Sequence, residues 1–133
     1  MSNHEIDNLK LIAKSWNSLD ISYIESILAD DLIYESQWVL IPIKGKESYL
    51  SYLHSKFQAI KAVMDSEPMN ITAELTLHPS LQNKPGIVIT QVTKDGIRQV
   101  SLLIKSQKSK IKRIDVCFIP DPAEAILIDN FPI

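Results

Sequence analysis

A single cysteine, Cys117, stands in a chain of 133 residues, so no intrachain disulfide can form. It sits in the apolar run Val116-Cys117-Phe118-Ile119, where a buried, inert thiol is expected and a catalytic one is not. Neither sign of charge is in excess: 14 Lys and Arg against 16 Asp and Glu give a net charge of −2 and no basic footprint for nucleic acid. The one basic run, Lys105 to Arg113, alternates with Ser and Gln and reads as a solvated hairpin loop. No apolar stretch approaches membrane-spanning length. The polar start, Met1-Ser2-Asn3-His4-Glu5, leads straight into an amphipathic pattern, so no signal peptide is expected and the cytoplasm is the default compartment. Glycine is scarce and forms no phosphate-binding loop; zinc-like Cys/His spacing and a Gly-x-Ser-x-Gly elbow are also missing. Asp30-Asp31 looks like a carboxylate pair, but adjacent side chains point apart. No metal and no cofactor is implied. Asn70-Ile71-Thr72 matches a glycosylation acceptor, without meaning in a cytoplasmic chain.

What remains is the composition of one ordinary globular domain, 45% apolar and 23% charged, spanning 1–133 with a C-terminal tail at 120–133. Ile6, Leu9, Ile12, Ala13 and Trp16 recur at spacings of three and four, predicting a first helix that Ser2 or Asn3 can cap. A short second helix is expected from Asp20, burying Ile21, Ile24, Ile27 and Leu28, then a strand from Leu32 to Leu40. Pro42 and Gly45 mark a loop. A long helix follows from Lys46 to about Met64, with Leu50, Leu53, Phe57, Ile60 and Met64 as its apolar stripe.

From Asn70 the period changes to two: Ile71, Ala73, Leu75 and Leu77 alternate with polar residues, as in a half-buried strand. Beyond a loop from Pro79 to Pro85, two β-rich runs flank Asp95-Gly96, a hairpin signal. Ile111 to Ile119 is the last strand, and the tail is expected to pack on the body. The order α-α-β-α-β-β-β-β predicts an α+β domain with helices on one sheet face. A turn at Asp95-Gly96 would pair Val92 with Gln99, Thr90 with Ser101 and Val88 with Leu103. One face then carries Val88, Thr90, Ser101, Leu103 and Lys105; the more apolar face carries Ile87, Ile89, Val100, Leu102 and Ile104. Both are too apolar for water, so a homodimer through the sheet, or the tail, is expected to cover the face the helices leave.

Trp16-Asn17-Ser18-Leu19-Asp20, then Ile24 to Leu28, Ala29-Asp30-Asp31, a strand, and Lys44-Gly45-Lys46-Glu47 opening a helix, resemble the nuclear transport factor 2-like superfamily. That group includes ketosteroid isomerases and SnoaL-type polyketide cyclases. The resemblance implies a cystatin-like cone with a pocket between the long helix and a curved antiparallel sheet, and dimerisation through the sheet. It does not imply isomerase chemistry, which needs a carboxylate base and two acidic hydrogen-bond donors. Laid without gaps on that pattern, the base position is Ser36, the Tyr position Ile12, and the Asp position falls at or near Lys105. The dehydratase branch uses a His–Asp dyad whose Asp falls at or near Asn17, which carries no charge to stabilise an imidazolium. The gapless match places Thr90, Ser101 and Lys105 under the helices, where apolarity places Ile87, Ile89, Val100 and Leu102; a one-residue bulge reconciles the two.

Tyr34, Ser36 and Trp38 alternate along the first strand and would form a pocket wall with a polar handle. Trp16, His54, Phe57, Thr90 and Ser101 complete the expected lining. If there is acid–base chemistry, Asp115 or His54 is the expected base and Tyr34 the donor; Asp115 could instead pair with Lys105 or Arg113 at the surface. His4 and His78 are expected at the surface. Two functions stay open: a pocket protein that binds or transforms a small apolar molecule bearing a polar group, and a non-catalytic interaction domain whose cone is filled by Trp16, Tyr34, Trp38 and Phe57.

Overall fold

The computed structural model describes residues 3–36, 39–117 and 126–130. Helices α1 (Asn3–Ser18) and α2 (Lys46–Ser66) lie against one face of a curved sheet. Its strands are β1 (Leu28–Ser36), β2 (Val39–Lys44), β3 (Met69–His78), β4 (Lys84–Thr93), β5 (Gly96–Gln107), β6 (Lys110–Cys117) and β7 (Ile126–Asn130). Among the described residues their order is β2-β1-β6-β5-β4-β3-β7. Neighbours are antiparallel, except that β1 runs parallel to β6. The expected α+β architecture, helices over a curved sheet, is the one the chain adopts.

The face of α1 that the spacing selects is buried: Leu9, Ile12, Ala13 and Trp16 all enter the core. Its last turn closes when the Asp20 N–H donates to the Ser15 carbonyl at 3.0 Å, with Leu19 left-handed at φ 54°. A leucine in that conformation is strained by about 1–2 kcal/mol, offset by burial of its side chain. The short helix expected from Asp20 is only one 3-10 turn, Ile21–Tyr23, capped where the Ser22 N–H donates to Asp20 Oδ1 at 2.9 Å. The reason is tertiary. The Ile111 N–H donates to the Ile27 carbonyl at 2.7 Å, and Leu28 opens β1 opposite Ile111. Backbone groups claimed by β6 cannot continue a helix.

Nor is Leu32 to Leu40 one strand. It folds back on itself, with Ile33 opposite Lys44 and Tyr34 opposite Ile43, so that β2 becomes a sheet edge. Pro42 lies within β2 rather than in a loop, tolerated at an edge because it has no N–H to donate. Gly45 then turns at φ 98°, a left-handed value that favours glycine, with its N–H bonded to the Leu32 carbonyl at 2.7 Å. The tail contributes β7, paired with β3.

The β4–β5 hairpin carries a correction of register. Its turn residues are Lys94-Asp95, Gly96 takes the positive φ of 132°, and Val92 pairs with Ile97 and Thr90 with Gln99. This is two residues from the expected register, so every side chain keeps its face. Ile87, Ile89, Leu102 and Ile104 lie in the core under the helices, with Val100 against them. Thr90, Ser101 and Lys105 therefore lie on the outer face, and the gapless match is wrong there. The pairing of β4 with β5 is regular, so no bulge there reconciles the two readings; a register irregularity falls between β5 and β6, at Lys105/Ser106.

Candidate functional site

Between α2 and the covered sheet face lies a cleft of about 430 Å³, within the range of small-molecule sites. Tyr52, Lys56, Ala59, Ile60 and Val63 line it from α2, one side of the helix at spacings of three and four. Ile71, Ile89, Val100 and Val116 supply the sheet wall, and Trp16 closes it from α1. The α2 stripe differs from the expected one: Tyr49 is fully buried beside Leu53 and Phe57, and Tyr52 is half-buried. Phe57 stands behind the lining and meets the Trp16 ring edge-on at a centroid distance of 4.9 Å.

One end of the cleft is polar. Tyr34 from β1 packs against Tyr49 at 5.0 Å and Tyr52 at 5.3 Å between ring centroids. Its hydroxyl meets those of Tyr52 and Ser36, and all three residues line the cleft. Burial raises the Tyr34 pKa and bonding to Tyr52 raises it further, against the opposing pull of Ser36. Tyr34 thus stays protonated at any physiological pH and is a donor, not a base. Burial raises Tyr49 likewise. Lys56 lies one turn beyond Tyr52, its ammonium 5.9 Å from that ring. At the other end Gln91, Thr93, Asp95, Arg98 and Glu67 form the mouth, and Lys94 reaches Glu67 at 3.5 Å.

Of the residues expected to line a pocket, the cleft brings together Trp16, Tyr34 and Ser36. Trp38 lies outside the described residues. His54 is exposed and not among the lining. Thr90 sits on the outer face, hydrogen-bonded by Gln99 at 3.1 Å. Ser101 is buried on that same face, 3.0 Å from His78 Nε2. His78, expected at the surface, is fully buried, and burial lowers its pKa. Asp115 also lies outward, 3.0 Å from Arg113 Nε, and Arg113 pairs in turn with Glu35. The alternation of β6 decides this, because Ile114 and Val116 face inward on either side of Asp115. Among the described residues no cluster of His, Cys, Asp or Glu could hold a metal ion.

Asn17 has a structural task. Its Nδ2 donates to the Ala73 carbonyl at 3.0 Å and its Oδ1 accepts from the Ala73 N–H at 2.7 Å. It thereby satisfies the β3 backbone as one residue of an added strand would. Tyr52, Lys56, Gln91 and Arg98 escaped the sequence reading. Tyr52, Lys56, Ile60 and Val63 do repeat at helical spacing, but a lysine and a tyrosine carry no apolar signal until the sheet opposite them is known.

No protein-family model matches the chain, and no curated protein matches it in sequence. Solved structures do match its fold. A steroid delta-isomerase from Pseudomonas aeruginosa aligns over 88% of this chain and 80% of its own, with a TM-score of 0.66 and 11% identity. An LEH-like epoxide hydrolase from M. tuberculosis aligns over 86% and 82%, with a TM-score of 0.58 and 12% identity. A de novo designed protein with a curved β-sheet aligns over 87% and 86%, with a TM-score of 0.59 and 15% identity. The chain has the nuclear transport factor 2-like fold shared by ketosteroid isomerase-like and SnoaL-type proteins. That a designed protein shares it shows how little the fold alone says about chemistry.

Proposed function

We propose that this chain binds a small, mostly apolar molecule carrying a polar group in the cleft between α2 and the sheet. The observation that carries this reading is the open cleft of about 430 Å³, apolar along its walls and furnished with hydroxyls at one end. It counts against a cone filled by its own side chains: Trp16, Tyr34 and Phe57 are all packed into the core and the space beside them stays open. It also favours binding over acid–base transformation, because Asp115 and His54 both lie away from the cleft. Steroid isomerisation is disfavoured too, with Ser36 where that chemistry needs a carboxylate and Ile12 in the core.

Titration with Nile red, a neutral dye that brightens in apolar surroundings, tests the reading. One saturable site per chain is expected, and Val100→Trp, which fills the cleft from its sheet wall, should abolish it without altering the circular dichroism spectrum. No saturable binding, or equal binding to the Val100→Trp variant, would overturn the proposal. The reading extends to pairing of two copies through the outer sheet face, where Val92 and its cross-strand neighbour Ile97 are exposed. Light scattering should then give a dimer mass that Ile97→Lys reduces to a monomer.

A further inference from the structure

The two ends of the cleft differ in charge balance. At the mouth, Arg98 shares the lining with Asp95 and Glu67, and Glu67 is already paired with Lys94. Around Tyr34, Ser36, Tyr52 and Lys56 no carboxylate lines the cleft. Lys56 has no acidic partner within ion-pairing distance among the described residues. Eleven residues along α2 and its cap put it about 16 Å from Glu67 along the chain axis, too far for that carboxylate to pair with it. Lys56 and Glu67 thus mark opposite ends of one apolar trough.

The hydroxyls at the Lys56 end form a row: that of Tyr34 meets those of Ser36 and Tyr52, and Lys56 stands one turn along the helix from Tyr52. Each hydroxyl can donate as well as accept, so Tyr52 can offer its O–H to a ligand. Tyr34, 5% exposed, is the buried anchor of this row. An O–H donor beside an unpaired ammonium, at the end of an apolar trough, is complementary to an anion with an apolar tail.

We propose that the cleft takes a carboxylate-bearing amphiphile, with its acid group on Tyr52 and Lys56 and its tail along Ile60, Ile71, Ile89 and Val100. The proposal rests on the cleft reading above and adds the charge and orientation of the ligand. The test is displacement of Nile red by decanoate and by 1-decanol, which share a tail and differ in the head group. Decanoate should compete about tenfold better than decanol. Lys56→Met should remove that preference, weakening decanoate far more than decanol, and Tyr52→Phe should reduce it several-fold. Equal competition by the two in the parent protein would overturn the proposal while leaving the cleft reading intact. So would loss of the preference in Arg98→Met but not in Lys56→Met, which would place the acid at the mouth. Failure of Nile red itself to bind removes the cleft reading, and this proposal with it.

Discussion

Gly86 is the one glycine whose replacement tests packing rather than backbone freedom, since its φ is not positive. A methyl group there would lie 2.8 Å from Leu103 Cδ2, 2.9 Å from His78 Cε1 and 2.9 Å from the Leu102 carbonyl oxygen. The Leu103 methyl can rotate away. The other two cannot: Leu102 is held by the β4–β5 and β5–β6 ladders, and the His78 ring is fully buried with Nε2 bonded to Ser101. Overpacking of this kind costs about 1–3 kcal/mol. Displacing the ring would also strand a buried polar pair, worth about 1 kcal/mol more. Against this, alanine narrows the unfolded ensemble and gains about 0.4–1 kcal/mol. Gly86→Ala should therefore destabilise by roughly 1–3 kcal/mol, read as a lower urea midpoint at unchanged slope. In a His78→Ala background, which removes one of the two rigid obstacles, the cost should fall by about half. Gly86→Ala at parental stability, or an undiminished cost in the His78→Ala background, would refute the reasoning.

His78 also makes stability depend on pH. Burial depresses its folded pKa below the unfolded value, so the neutral ring's contribution is present above about pH 6.5 and is lost as pH falls toward the folded pKa. The urea midpoint should drop between pH 7.5 and 5.5, and His78→Gln should flatten that drop; an identical slope in the variant would exclude His78 as the cause. Asn17→Ala strands the Ala73 N–H and carbonyl at the edge of β3 and should cost about 2–4 kcal/mol by urea denaturation. Asn17→Asp keeps the acceptor but sets a carboxylate against the Ala73 carbonyl, so it should cost less than Ala and gain ground as pH falls through the carboxylate range. Leu53→Ala, at a position 1% exposed in the core, should cost about 2–5 kcal/mol; a loss under 1 kcal/mol by the same denaturation would show that the helix–sheet interface can collapse around the void.

Periodicity alone determined α1, α2, the alternating β3 and the β4–β5 hairpin, because these elements bury one face and each position's polarity follows from it. Even the error of two residues in the hairpin left every face assignment standing, since side chains in a strand alternate with a period of two. Pairing partners were not legible. Whether Leu28 ends a helix or opens a strand depends on Ile111, more than 80 residues away in the chain, and the fold-back of β1 on β2 depends on which edge is free. The site followed the same division. Trp16, Tyr34 and Ser36 lie on elements whose facing was readable, and they do line the cleft. Ser101 was placed inward through a gapless match, and Asp115 was carried with it by sharing its face; which of the two sheet faces lies under the helices is a matter of tertiary packing, and theirs is the outer one. Tyr52 and Lys56 became visible only once the sheet lay opposite α2, because a polar residue at the margin of a helical stripe looks the same from the sequence whether it borders water or a cleft.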